Sequence, residues 1–125
     1  MGDYSKALEF YEKDLEITKI ALPPNHPSLA TSYGNIGQVY NNMGDYSKAL
    51  KFYEKSHKIT KIALPPNHPS LATSYGNIAS VYHDLGEYAA ALKALQSAFK
   101  IQQKTFEEGN PAFAPTYSWY GRVYR

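Results

Sequence analysis

Four histidines are the side chains of this sequence best suited to catalysis or metal binding. His26 and His68 each precede a proline, where capping or turn formation explains them, so only His57 and His83 remain as further ligands. A structural zinc ion needs about four ligands close together, and the chain has no cysteine. No glycine-rich phosphate loop follows a strand, and no serine lies in a nucleophile-elbow context. The sequence therefore predicts no enzyme, no metal site and no cofactor.

A row of lysines over residues 45–64 could contact phosphates, since neutralising backbone phosphates is the main source of nonspecific affinity for nucleic acids. The matching stretch at 3–22 carries Glu9 and Glu16 where two of these lysines would stand, and the net charge is only +2. A solvated helix face explains the row better, and we expect no nucleic-acid partner. The lysines are Lys48, Lys51, Lys55, Lys58 and Lys61.

Composition excludes several other classes of protein. The chain has 125 residues, of which 43% are hydrophobic and 19% charged, so it can bury a core and is not a charged disordered tail. Its apolar runs are only a few residues long, whereas about 20 are needed to span a bilayer. Met1 is followed by Gly-Asp-Tyr rather than by a basic and then apolar leader. We expect a cytoplasmic protein with no membrane partner.

The sequence repeats with a period of 42 residues. Between residues 1–42 and 43–84, 34 of the 42 aligned positions are identical, and a third, diverged copy covers 85–125 without insertion or deletion. Such a period indicates stacked supersecondary units. We therefore expect residues 1–125 to form a single array of three copies. Neither end carries a polar capping copy, so we also expect the chain to be a piece of a longer array.

Each copy contains two helical patterns. Leu29, Tyr33 and Ile36 begin a first-type helix with apolar residues three and four apart, whose stripe runs on to Met43. The second-type stripe runs from Tyr46 to Ile62 and Ala63. Prolines over 23–27 and 65–69 interrupt the helical pattern, because proline cannot continue a helix. Gly44 suits a left-handed C-terminal cap, and Asp45 suits an N-cap. The prediction is an all-α fold of three hairpins and six helices, from a second-type helix at about 3–21 to a first-type helix at about 111–125.

The repeated residues resemble the tetratricopeptide repeat (TPR), in the 42-residue form found in kinesin light chains. The resemblance covers the whole chain, and it implies an α-α superhelix, or TPR solenoid, that acts as a non-catalytic protein-interaction scaffold. Small residues at Gly37, Ala79 and Gly121 would let the helices of a hairpin approach closely. Asp14 and Ser56 depart from the family, which prefers a small apolar residue there, as Ala98 supplies in the third copy. The match rests on Tyr33, Ile36, Gly37, Tyr40, Gly44, Tyr46, Ala49 and Tyr53, repeated as Tyr75, Ile78, Ala79, Tyr82, Gly86, Tyr88, Ala91 and Leu95.

The resemblance also implies that first-type helices line a concave groove. The small polar residues left on those helices are then candidates for binding a peptide. Asn35 and Asn77 could each donate and accept hydrogen bonds to peptide groups. Gly34 and Gly76 each cost about 1 kcal/mol relative to alanine within a helix, which either an approaching ligand backbone or a close neighbouring helix would explain. The candidate residues are Thr31, Gly34, Asn35, Gln38, Asn41, Thr73, Gly76, Asn77, Ser80, His83, Trp119 and Arg122.

The chemistry of the partner is predicted less closely. Some TPR domains hold a ligand's terminal carboxylate with lysine, asparagine and arginine from successive first-type helices. Asn77 and Arg122 match that arrangement, but Gly34 and Ser118 stand where lysines are expected, so the clamp is incomplete. Arg122 would favour an acidic peptide, although a solvated helix end explains it as well. Trp119 could anchor a ligand or cover an exposed end.

Self-assembly is the alternative function. Arg125 aligns with His83, so after one missing residue the next element of the array would be the helix that begins at Met1. Residues 111–125 of one molecule could therefore dock against residues 3–21 of another. This head-to-tail contact does not close on itself and would extend the superhelix.

Overall fold

The computed structural model describes residues 3–107, and this part of the chain forms five α-helices without a strand. Each helix packs against the next one in the chain. The all-α TPR solenoid is confirmed for these residues, whereas the predicted sixth helix, with Trp119 and Arg122, lies outside them. The helices are α1 (Tyr4–Ala21), α2 (Pro27–Met43), α3 (Tyr46–Ala63), α4 (Pro69–Asp84) and α5 (Tyr88–Glu107).

The helices begin and end at the predicted capping residues. Nδ1 of His26 accepts a hydrogen bond from the backbone N–H of Ser28 (3.1 Å), where it caps α2, which starts with a proline. Gly44 ends the same helix with φ 82°, a conformation that favours glycine. Asp45 then caps α3 by accepting from the backbone N–H of Lys48 (3.3 Å). Because equivalent caps recur 42 residues away, α2 and α4 start in register, and so do α1, α3 and α5.

The buried core lies between helices of successive copies. Its main cluster combines residues from α3, α4 and α5, so that neither helix pair completes it alone. By contrast, α1 contacts α2 but buries none of its own residues. Each pair therefore shields its apolar face against the next. The main cluster contains Ala49, Tyr53, Ile78, Ala79, Val81 and Ala94.

Three residues assigned to the apolar stripes are exposed, namely Met43, Ile62 and Ala63. Met43 is 45% exposed and Ile62 is 58% exposed. Both lie within the last two residues of their helices. The apolar periodicity therefore overestimated how far along each helix the neighbouring helices provide cover.

Helices α2 and α3 approach each other closely at Gly37. A Cβ atom added there would lie 2.9 Å from Cδ1 of Tyr53 and 3.3 Å from the carbonyl oxygen of Ala49. The predicted role of this small residue is confirmed. In the next copy the same pair of positions holds Ala79, which belongs to the main core, and Leu95, which is partly buried and packs against that core. A larger residue on the first-type helix is thus matched by a smaller one on the second-type helix.

We predict that Gly37→Ala is less stable than Gly76→Ala by about 1–3 kcal/mol, because overpacking costs about that much. Gly76 is the matched control, since a Cβ there meets nothing within 4 Å and alanine should stabilise the helix by about 1 kcal/mol. Adding Tyr53→Leu to Gly37→Ala recreates the Ala79–Leu95 pair and should recover much of the loss. Urea unfolding measures all three variants. Equal stabilities for the two alanine variants would contradict the close approach.

Candidate functional site

A groove lies between α2, α3 and α4, with a volume of about 380 Å³. Six of the predicted site residues line it, and none of its lining residues within 3–107 is charged. Helix α2 supplies Thr31, Gly34, Asn35 and Gln38, α4 supplies Thr73 and Asn77, and α3 supplies Tyr53, Ser56, Thr60 and Ala63. We call this pocket the second subsite.

Another pocket of about 380 Å³ lies at the corresponding position one copy earlier in the chain. We call it the first subsite. Each of its seven lining residues has a counterpart, 42 positions later, in the second subsite, and six of the seven pairs are identical; the exception is Asp14, which corresponds to Ser56. Thr31 and Asn35 line both subsites, which are therefore contiguous. The first subsite is lined by Asp14, Thr18, Leu22, Ser28, Thr31, Ser32 and Asn35.

The two residues that depart from the family pattern make hydrogen bonds between helices. Ser56 Oγ donates to the carbonyl oxygen of Ala30 (2.7 Å), joining α3 to α2. The hydroxyl of Ser32 donates to Oδ2 of Asp14 (3.3 Å), joining α2 to α1. Sequence reasoning missed both roles. The available signal was that a polar side chain stands in two copies where the third has a buried alanine, Ala98.

The amide side chains of the groove differ in whether they have hydrogen-bond partners within the protein. The Tyr53 hydroxyl donates to Oε1 of Gln38 (3.1 Å), and burial raises the pKa of Tyr53, which keeps this donor protonated. Nε2 of Gln38 in turn donates to Asn42 (3.0 Å). The side-chain amides of Asn35 and Asn77 make no hydrogen bond to any group within residues 3–107. Their N–H donors and their acceptor oxygens are therefore available to a ligand.

Close packing does not account for the two helical glycines. A Cβ at Gly34 would lie 3.6 Å from Ser56 Oγ, an ordinary contact, and one at Gly76 would meet nothing within 4 Å. Of the two explanations for these glycines, a close neighbouring helix is therefore not supported by the described part of the chain.

The remaining predicted site residues lie outside both subsites. Gly76 and Ser80 occupy in α4 the positions of Gly34 and Gln38 in α2. The predicted helix 111–125, with Trp119 and Arg122, lies outside the described residues. Asn41 is half-buried, and its Oδ1 has no partner in the described region. The ring of His83 packs against Tyr88 with centroids 5.4 Å apart.

His57 lies where α3 meets α4 rather than in a metal site. Its Nδ1 is 2.8 Å from Ser74 Oγ, and its ring centroid is 4.4 Å from that of Tyr75. Burial, with a smaller contribution from the charge of Lys61, lowers the pKa of His57. Among residues 3–107, no three histidine or acidic side chains are grouped so that they could hold a metal ion.

We predict that lowering the pH below about 6.5 reduces the free energy of unfolding through His57. Its pKa is depressed in the folded state, so the unfolded chain takes up the proton first, and stability is lost as the pH falls toward the folded pKa. His57→Leu, which copies Leu15 of the first repeat, should flatten the pH profile of urea unfolding. Parallel profiles for the parent and His57→Leu would rule this out.

The family model for the tetratricopeptide repeat matches residues 1–62, 44–104 and 70–125. The chain belongs to the tetratricopeptide repeat family. TPR arrays generally mediate protein–protein interaction or assembly and are generally non-enzymatic, so this chain is an interaction module. None of its helices within residues 3–107 is long and apolar enough to cross a membrane.

Two solved structures confirm the kinesin-light-chain-like subtype. The TPR-like repeats of a Podosopora anserina protein described as a kinesin light chain superpose with a TM-score of 0.80 at 26% identity, over 98% of this chain and 58% of that one. BtubC (BKLC) from P. vanneervenii gives a TM-score of 0.78 at 26% identity, over 98% of this chain and 48% of that one. This chain thus spans only 48–58% of these relatives. Comparison with curated protein sequences finds no match.

Proposed function

We propose that this array binds an extended peptide segment of a partner protein along its groove, as a cytoplasmic scaffold without catalytic activity. The observation that carries the proposal is the recurrence of one subsite in two successive copies, with Asn35 and Asn77 at equivalent places and with side-chain amides that have no hydrogen-bond partner within residues 3–107. An extended chain presents N–H and C=O groups at regular intervals, and each needs a partner when it leaves water. A primary amide can both donate to and accept from such groups.

The shape and polarity of the groove favour a peptide backbone over a small molecule. The groove continues from one copy to the next because Thr31 and Asn35 belong to both subsites. The missing side chain at Gly34 leaves room beside Ser56, at a cost of about 1 kcal/mol in helix stability that ligand contacts could offset. The expected preference for an acidic ligand rests on Arg122 and remains a prediction for the part of the groove near that residue.

We predict that Asn35→Ala combined with Asn77→Ala weakens peptide binding at least about tenfold, because each truncation removes hydrogen bonds worth about 0.5–1.5 kcal/mol apiece. The probe is a phage-displayed library of random 12-residue peptides, selected on the parent array and followed by fluorescence titration of the enriched peptides. Thermal unfolding should change little, because neither amide has a partner within the described helices.

The matched control is Asn25→Ala combined with Asn67→Ala. These asparagines are also 42 positions apart, but they lie in the linkers that precede α2 and α4 and do not line either subsite. The control should bind like the parent. Undiminished affinity in the groove variant, or failure of the parent to enrich any peptide, would refute binding in the groove.

Head-to-tail assembly is a second candidate, favoured by the uncovered apolar face of α1. Phe10 and Ile17 are each 67% exposed. Their counterparts in α3 are covered by α2: Phe52 stacks on Tyr40 with ring centroids 5.6 Å apart, and Ile59 is only 9% exposed. Residues 111–125 repeat the residues of α2 that make these contacts, with Tyr117, Gly121 and Tyr124 in place of Tyr33, Gly37 and Tyr40. A second copy of the chain therefore carries a suitable cover for α1.

We predict that Phe10→Glu combined with Ile17→Glu abolishes any growth of mass with concentration in sedimentation experiments, because charges would have to be buried against residues 111–125. Folding should persist, since both side chains are exposed in the single chain. Ile62→Glu is the matched control, on an exposed isoleucine of α3, and should associate like the parent. A parent that remains monomeric at all concentrations would exclude assembly.

A further inference from the structure

The seven lining residues of the first subsite all have counterparts in the second, and only one of these pairs differs in residue type. Six pairs are identical, and the seventh places Asp14 in the first subsite and Ser56 in the second. Both positions face the first-type helix α2, to which each makes a hydrogen bond. The second subsite has a further wall from α2, which includes Gly34 and Gln38, but at the seven corresponding positions the subsites differ only in this one charge.

The carboxylate of Asp14 has no counter-charge of its own. It accepts one hydrogen bond, from the neutral hydroxyl of Ser32, and it forms no ion pair with a lysine, arginine or histidine within residues 3–107. The adjacent Lys13 is paired with Glu9 instead (3.3 Å). No basic residue of the described region lines the first subsite. An exposed, uncompensated negative charge thus faces the space that a ligand would enter.

We infer that the segment bound in the groove carries a lysine or arginine that pairs with Asp14 in the first subsite, and an uncharged side chain in the second. This inference rests on the proposed peptide-binding function. In the second subsite the Ser56 hydroxyl is already donated to Ala30, and a cationic side chain would lose water without gaining an opposite charge. The single difference between Asp14 and Ser56 therefore gives the groove a direction.

The spacing of the two preferences follows from the geometry of the array. Helices α1 and α3 both pack on α2, packed helices lie about 8–10 Å apart, and an extended chain advances about 3.3 Å per residue. Because Asp14 and Ser56 are separated by between one and two such distances, we expect the position that prefers a basic residue to lie about three to six residues from the one that prefers a neutral residue. The acidic preference predicted from Arg122 would concern the opposite end of the same segment.

A reciprocal exchange of the two residues tests the inference. The random 12-residue library is selected on the parent, on Asp14→Ser, on Ser56→Asp and on Glu12→Ser, which removes an exposed acidic charge from α1 outside the subsite. Peptides from the parent should be enriched in lysine or arginine at one position. Asp14→Ser should lose that enrichment, Ser56→Asp should add a second basic position about three to six residues away, and Glu12→Ser should match the parent.

A binding cycle then measures the pair directly. For a peptide selected on the parent, replacing its basic residue with glutamine should weaken binding about two- to fivefold at low salt, as for an exposed ion pair, and less at 0.5 M salt, because of screening. On Asp14→Ser the same replacement should have no effect.

The possible results separate this inference from the proposed function. If the double asparagine variant loses binding while Asp14→Ser selects basic residues as often as the parent does, the charge preference is wrong and groove binding stands. If the double asparagine variant binds as well as the parent, or the parent enriches no peptide, both are overturned. Because Asp14→Ser installs the residue that the second copy already has, it is expected to fold even if Ser56→Asp does not.

Discussion

Each helix pair of this array depends on the next pair to bury its apolar face. The main core joins Tyr53 of α3, Ile78 of α4 and Ala94 of α5, so removing any one of these helices would expose the other two. Helix α1 shows the opposite case: among the described helices it packs mainly against α2, and none of its side chains is buried. Burial of apolar surface is the main source of stability in such arrays, and it is obtained only when copies stack in register. A period without insertions follows from this requirement.

The same packing places the groove. Tyr53 closes the contact with Gly37 inside the core, and its hydroxyl reaches Gln38 at the groove. The separation of α2 and α3 and the position of an amide at the groove surface are therefore set by one side chain. Ser56 acts in a similar way, since its hydrogen bond to Ala30 fixes the floor of the second subsite against α2. The groove is thus the polar face of the contacts that form the solenoid.

The sequence was sufficient to predict the helices, their caps and the close approach at Gly37, because each depends on local chemistry repeated in two copies. Six of the candidate residues proposed from the sequence line the groove, whereas Asn41, Gly76, Ser80 and His83 do not. The sequence could not show the roles of Asp14 and Ser56, whose hydrogen-bond partners lie on another helix and follow no period. Periodicity likewise marks the apolar face of a helix, but it does not show where the neighbouring helices stop covering that face. For this reason Met43 and Ile62 were wrongly assigned to the buried face. The predictions for Trp119 and Arg122 concern residues beyond 107.

Two near-identical subsites also have a consequence for alignment. Thr31, Thr73, Asn35 and Asn77 offer the same contacts at two places, so a uniform segment could shift by one copy with almost no change in energy. Any array of equivalent binding sites has this property, because shifting a uniform ligand by one site replaces its contacts with nearly identical ones. Any fixed position must come from what breaks the symmetry, and among the seven corresponding pairs of lining residues that is a single carboxylate.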